Sequence, residues 1–247
     1  MTAAELGIVM AAVVAGAVTK SVTGLGLPII AIPVMALFID VVDAVVVMAI
    51  PTVAANVLLV REHRVAWPEA RPRVVVLLVT GVIGAVVGAL LLARLDPRIL
   101  TLTLAALVLA YVATRLFRSD FDWPPAVARR GNPIVGALSG VLQGATGISG
   151  PLLATWVHGL RLPRQVFVLS ITLLFTVLGM AQLVGLTVAG LWTWERLAAS
   201  LAALVPVLVV VPVGVRLARG LPAEVFDRVV LVVLSGSAVA LVLRSLV

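Results

Sequence analysis

Apolar runs alternate with short polar breaks along the whole chain. Residues 6–22, 26–39, 44–60, 74–93 and 99–117 make five runs, and 134–147, 151–160, 166–189, 197–217 and 225–243 make five more. A helix needs about 20 apolar residues to cross the hydrocarbon core of a bilayer. The last three runs of each set approach that length. The first two of each set are short for a full span, and glycine, threonine, serine and proline interrupt them. The pattern predicts an all-α membrane protein in which each half holds a broken or half-length helix pair followed by three spanning helices. Polar loops are expected at Arg61–Arg73, through Trp67-Pro68, and at the turns around Asp96-Pro97, Arg161–Arg164 and Leu221-Pro222.

The two interruptions match each other. Lys20-Ser21-Val22-Thr23-Gly24-Leu25-Gly26-Leu27-Pro28 superposes on Gln143-Gly144-Ala145-Thr146-Gly147-Ile148-Ser149-Gly150-Pro151, with Thr23 on Thr146 (an offset of 123) and Pro28 on Pro151. Later, Gly88 falls on Gly214 and the Leu95 turn on the Leu221 turn, so a three-residue insertion separates the two alignments. The chain therefore reads as a first repeat over 1–117, a linker over 118–133 and a second repeat over 134–247. Five segments per half is an odd number. The second half then enters from the opposite face of the membrane, and the repeat is inverted whether the first two segments span or dip in and return.

Composition agrees with a lipid solvent. Of 247 residues, 62% are hydrophobic and 12% charged, and the mean hydropathy is +1.24. A soluble domain would carry about twice that charged share. The net charge of +7 comes almost entirely from arginine. Counting segments places Arg61, Arg64, Arg71, Arg73, Arg115, Arg118, Arg129, Arg130, Arg161, Arg164, Arg216 and Arg219 on one side. The other side receives Arg94, Arg98, Arg196, Arg228 and Arg244. Cytoplasmic loops are enriched in such cations, so the first side is expected to be cytoplasmic. The expectation is a multi-pass protein of the inner (plasma) membrane with both termini outside. No basic patch interleaved with aromatics argues for nucleic acid. With no cysteine and two histidines, neither thiolate nor histidine metal chemistry is expected, and no cofactor. The N-terminus has no basic region ahead of its first apolar run, which reads as retained.

The interruptions are where ligand chemistry is expected. A helix that stops within a bilayer leaves amides and carbonyls that lipid cannot satisfy, so such a break is buried or lines a wet cavity. The restarting helix directs free N–H groups and a positive dipole end into that cavity. Paired broken segments in two inverted halves mark a transporter site near the midplane. Lys20, Thr23, Gly24 and Gly26 in the first break, and Gln143, Thr146, Gly147, Ser149 and Gly150 in the second, are the candidate substrate-binding residues. Lys20 is the one lysine of the chain and Gln143 its repeat mate, so a single charge would serve a pseudo-symmetric pocket suited to a small anion. Asn56, Gln182 and His158 are candidates for a pathway, or for bonds to neighbouring helices or the membrane interface.

These residues resemble the sulfite exporter TauE/SafE family, also called the toluene-sulfonate uptake permease family. The likeness lies in Thr23-Gly24-Leu25-Gly26-Leu27-Pro28 with Pro33, in Ser139-Gly140 through Gly144–Pro151, and in the Leu95-Asp96-Pro97 and Leu221-Pro222 turns. It departs from the commonest form, which has three adjacent glycines in the first half, where Leu25 and Leu27 flank Gly26. The resemblance implies transport of a small sulfur-containing anion such as sulfite, sulfoacetate or another sulfonate, mostly by export and in some members by uptake. The leading reading is a secondary transporter, an exporter, working by alternating access between the two halves. Its partners would be the small anion and the lipid bilayer; coupling to an ion, proton or sodium, is left open, and no oligomeric state is implied. Two alternatives compete. One is an anion channel. The other is an intramembrane serine protease built on Gly147-Ile148-Ser149-Gly150, which would need a base close to Ser149.

Overall fold

Prolines and glycines in the breaks set where the helices begin and end. The computed structural model describes residues 2–23, 27–116, 122–217 and 223–246. Its helices are α1 (Ala3–Thr23), α2 (Leu27–Ala36), α3 (Val41–His63), α4 (Trp67–Leu92), α5 (Pro97–Leu116), α6 (Pro125–Thr146), α7 (Gly150–His158), α8 (Arg164–Val188), α9 (Trp194–Leu217) and α10 (Ala223–Leu246). Among the described residues six of these, α1, α3, α4, α5, α8 and α9, are long and apolar enough to cross a membrane. At 1.5 Å per residue, α2 and α7, with 10 and 9 residues, reach only about 14–15 Å, half of a hydrocarbon core about 30 Å thick.

Two stretches read as loop or linker are mostly helical. α3 runs to His63, a 3-10 turn follows over Arg64–Ala66, and α4 begins at Trp67. α6 begins at Pro125, inside the stretch read as linker. Polarity does not oppose a helix. Arginine, glutamate and alanine are good helix formers, and proline in a first turn gives up only an amide that lacks a partner anyway.

The chain packs as two units, and each draws helices from both halves of the sequence. The first comprises Met1–Thr52, Leu95–Ala113 and Trp192–Val247. Here α1 lies on α2 and on α9, and α10 packs on α2. A methyl at Gly16 would lie 3.3 Å from the Ala31 side chain, so α2 folds back along α1. Arg196 at the start of α9 pairs with Asp43 at the start of α3 (2.6 Å). Arg244 Nη1 donates to the Ala36 carbonyl, tying the end of α10 to the end of α2 (2.6 Å).

The second unit comprises Val53–Arg94 and Thr114–Leu191, with α4 packed on α6 and α8. Glycine makes the α4–α6 seam. A methyl at Gly136 would press on Leu77, one at Gly140 on the Gly81 carbonyl, and one at Gly144 on the Ala85 carbonyl. From the other side, methyls at Gly84 and Gly88 would strike the carbonyls of Ala137 and Val141. Small residues at four-residue spacing let two backbones touch, and the order of these contacts makes α4 and α6 parallel. α8 is parallel to both. Gly81 faces Leu178, Gly185 faces Val86 and Ala89, and Gln182 reaches the Gly144 carbonyl.

α7 turns back. Its ring contacts run from Gly150 beside Phe175 to His158 edge-on to Phe167, antiparallel to α8. Its far end returns to the start of α6. Trp123 N–H donates to the Gly159 carbonyl (2.8 Å) and its indole N–H to the Trp156 carbonyl (3.1 Å). The two indoles stack at 4.9 Å, and the Trp156 indole N–H donates to Asn132 (2.7 Å). α6 and α7 are thus a hairpin that enters and leaves at one end of the unit.

Candidate functional site

The second break is built from side chains that satisfy one another. Gly147 at the C-cap of α6 has φ 71, a left-handed conformation that favours glycine, and its N–H closes on the Gln143 carbonyl (2.8 Å). This residue turns the chain out of α6. The Thr146 hydroxyl donates back to the Leu142 carbonyl (2.7 Å) and accepts from Ile148 N–H (3.2 Å). It therefore caps the break from inside. Ser149 Oγ donates to Gln143 Oε1 (2.7 Å). Gln143 Nε2 donates to the Gly147 carbonyl (3.3 Å) and to Gln182 Oε1 (3.1 Å). Gln182 Nε2 donates to the Gly144 carbonyl (3.4 Å). Gln143, Thr146, Ser149 and Gln182 are all at most 3% exposed. Ser139, one turn before Gln143, keeps a buried hydroxyl that no described group pairs.

α7 restarts beside this network. Its ladder begins with Leu153 N–H on the Ser149 carbonyl (3.0 Å), and Pro151 has no N–H. The amides of Gly150 and Leu152 are therefore the ones its first turn leaves for a ligand. Phe175 of α8 stands with its ring tip 3.9 Å from where a methyl on Gly150 would sit.

The first break lies between α1 and α2. Lys20 is 3% exposed, one turn past Gly16 on α1. Among the described residues, the buried polar side chains include one charged group, Lys20, and no carboxylate. Ser21 Oγ donates to the Ala17 carbonyl (2.7 Å) and reaches the Val211 carbonyl of α9 (3.3 Å), with Gly214 against it. Gly24 and Gly26 lie outside the described residues, as does the side chain of Thr23.

The pathway candidates separate. Gln182 belongs to the second break. Asn56 is buried on α3, three residues past Val53, which packs on Gly179 of α8. His158 is exposed at the far end of α7, edge-on to Phe167 at 6.2 Å. Ser149 spends its hydroxyl on an amide oxygen, which is no base, while His158 lies about two turns away along α7; the side chain of His63 lies outside the described residues. The sequence reading passed over Trp123, Trp156 and Asn132. Trp123, a lone tryptophan within the polar stretch between the halves, was the available signal.

A family model for the sulfite exporter TauE/SafE matches residues 8–241. The chain belongs to that family. Its members are membrane transporters of the sulfite-exporter type, and both breaks and all but the outer ends of α1 and α10 fall within the matched residues. No curated protein and no solved structure matches the chain.

Proposed function

We propose that the chain is a secondary transporter that exports a small sulfur oxyanion, such as sulfite, sulfoacetate or another sulfonate, by alternating access. The observation that carries this reading is Lys20, a cation buried on α1 at the first break. A cation in that setting selects for negative charge, and buried ionisable groups in membrane segments are functional by default. At the second break the amides of Gly150 and Leu152 and the Ser139 hydroxyl would supply neutral donors suited to sulfonyl oxygens, while the Gln143–Ser149 pair holds the break in shape. Thr23, Gly24 and Gly26 would do the same at the first break.

An inverted repeat underlies alternating access, and the packing supports one. Ser21 and Val211 are the repeat mates of Gly144 and Ala85. In one unit Ser21 touches the Val211 carbonyl; in the other, Gly144 lies on the Ala85 carbonyl. Likewise Gly214 packs on Ser21 and its mate Gly88 packs near Ala145 N. The first helix of each half thus packs on the fourth helix of the other. A returning α6–α7 hairpin followed by three spans gives an odd number of crossings per half, as inversion requires.

Flux of radiolabelled sulfite and sulfoacetate into proteoliposomes tests the reading. Wild type should carry at least one of them saturably, and Lys20→Ala and Thr146→Val should each lose binding and flux. Equal binding in both variants would reject the residue assignment. Single-channel currents in planar bilayers would replace the carrier by a channel.

A further inference from the structure

One end of the second unit gathers exposed arginines from three separate stretches. A cluster of Val60, Ala66, Ala70, Leu162, Val166 and Leu169 joins the end of α3 and the start of α4 to the start of α8. The Trp123–Gly159 and Trp156–Asn132 bonds bring the start of α6 to the end of α7. Arg61 and Arg64 flank the first junction, and Arg161 and Arg164 the second. Arg71 and Arg73 lie in the first turns of α4, and Arg129 and Arg130 in those of α6. All eight are exposed. Among the described residues Glu69 and Asp122 are the exposed acids nearby in sequence, and none of the eight arginines has an ion pair there.

Their level in the bilayer follows from the helices that carry them. Arg71, Val75, Val79 and Ile83 recur every four residues on α4, and the three apolar ones are 38%, 59% and 63% exposed. On α6, Arg130 heads the same kind of stripe through Ile134 and Leu138, 62% and 54% exposed. Gly136 lies on Leu77. Stepping back six residues along each parallel helix reaches Arg130 and Arg71, so both stripes end in arginine at the same height. Apolar side chains so exposed face acyl chains, and the arginine at the end of each stripe stands at the headgroup level. Trp67, 38% exposed at the start of α4, fits the aromatic belt of that boundary.

From this arrangement we infer that the arginine-bearing end of the second unit binds anionic phospholipids, its guanidinium groups engaging their phosphates. Guanidinium matches a phosphate with two parallel hydrogen bonds, which an ammonium does not, and all eight cations here are arginine. At the opposite end of the unit Arg94 is the one exposed arginine among the described residues, so the binding belongs to one leaflet.

The test follows thermal unfolding of the full-length protein in uncharged detergent by tryptophan fluorescence. Dioleoylphosphatidylglycerol should raise the midpoint, and dioleoylphosphatidylcholine should raise it much less. An arginine near an anionic surface is worth about fivefold in affinity. Arg71→Gln and Arg130→Gln should each raise the phosphatidylglycerol needed for half the shift by about that factor, and the Arg71, Arg73, Arg129 and Arg130 quadruple glutamine variant by well over tenfold. Arg94→Gln should leave it unchanged, and raising NaCl tenfold should weaken the response in wild type. Equal shifts with the two lipids, single variants that titrate like wild type, or sodium phosphate reproducing the whole shift would each overturn the inference. The single variants decide the matter if the quadruple variant does not fold.

Discussion

Replacing Gln143 by leucine isolates the energetics of the second break. The two side chains are similar in size, so the change removes hydrogen bonds with little change in volume. It strands three buried groups: the Ser149 hydroxyl, the Gly147 carbonyl and Gln182 Oε1. In soluble proteins a stranded buried group costs about 1–3 kcal/mol. Between membrane helices the measured average is nearer 0.6 kcal/mol, because the unfolded chain in the bilayer also finds partners. Three groups at the membrane figure give roughly 2 kcal/mol, and three at the middle of the soluble range give roughly 6. The bilayer figure governs here, so Gln143→Leu should cost about 2–3 kcal/mol. Unfolding in mixed micelles as a function of sodium dodecyl sulfate measures this. A double-mutant cycle with Ser149→Ala sharpens it, since directly bonded neighbours couple and independent sites do not. The expected coupling is about 1 kcal/mol. A cost for Ser149→Ala that is the same with glutamine or leucine at position 143 would refute the network.

The remaining predictions use other parts of the structure. Gly140→Ala drives a methyl into the Gly81 carbonyl and within 2.8 Å of Ala85 N, so the α4–α6 seam must open, at about 1–3 kcal/mol. Gly236→Ala meets nothing within 4 Å and should be neutral or stabilising by up to about 1 kcal/mol; the same micelle unfolding assay compares the two. Trp123→Ala removes the indole stack and a hydrogen bond from the base of the α6–α7 hairpin, and should raise proteolytic cleavage near Gly159 without changing insertion. Asp43→Asn breaks a part-exposed pair with Arg196 and should lower stability by no more than about 1 kcal/mol, an effect that shrinks as salt rises.

Much of this architecture was written in the sequence, and the reasons are local. Gly147 and Pro151 announce a helix end and a restart because one tolerates a left-handed turn and the other lacks an amide. Gly81, Gly84 and Gly88 announce a close neighbour for the same kind of reason. Which neighbour it is cannot be read from α4, since the match with Gly136, Gly140 and Gly144 depends on α6 running parallel to it. Arg129 and Arg130 suggested a linker because polarity was taken for irregularity, whereas both lie on the first turns of α6. Gln143 was marked as a ligand group as the repeat mate of Lys20. Its bonds to Ser149 and Gln182 depend on side-chain reach across a hairpin, which no periodicity encodes. Gln182 was grouped with Asn56 and His158 on polarity alone; tertiary contacts then place it at the break and leave His158 at an exposed helix end.

The exchange of helices between the two packing units constrains how the chain is made. α4 leaves the ribosome with a bare glycine face, and its partners α6 and α8 are not yet synthesised. It can wait in lipid because its own backbone bonds are complete, but it cannot dock. α1 can fold against α2 at once, but its other face waits longer still, until α9 emerges. Assembly is therefore a late event that follows translation of nearly the whole polypeptide. A chain released early would leave the bilayer holding inserted helices with nothing to close against.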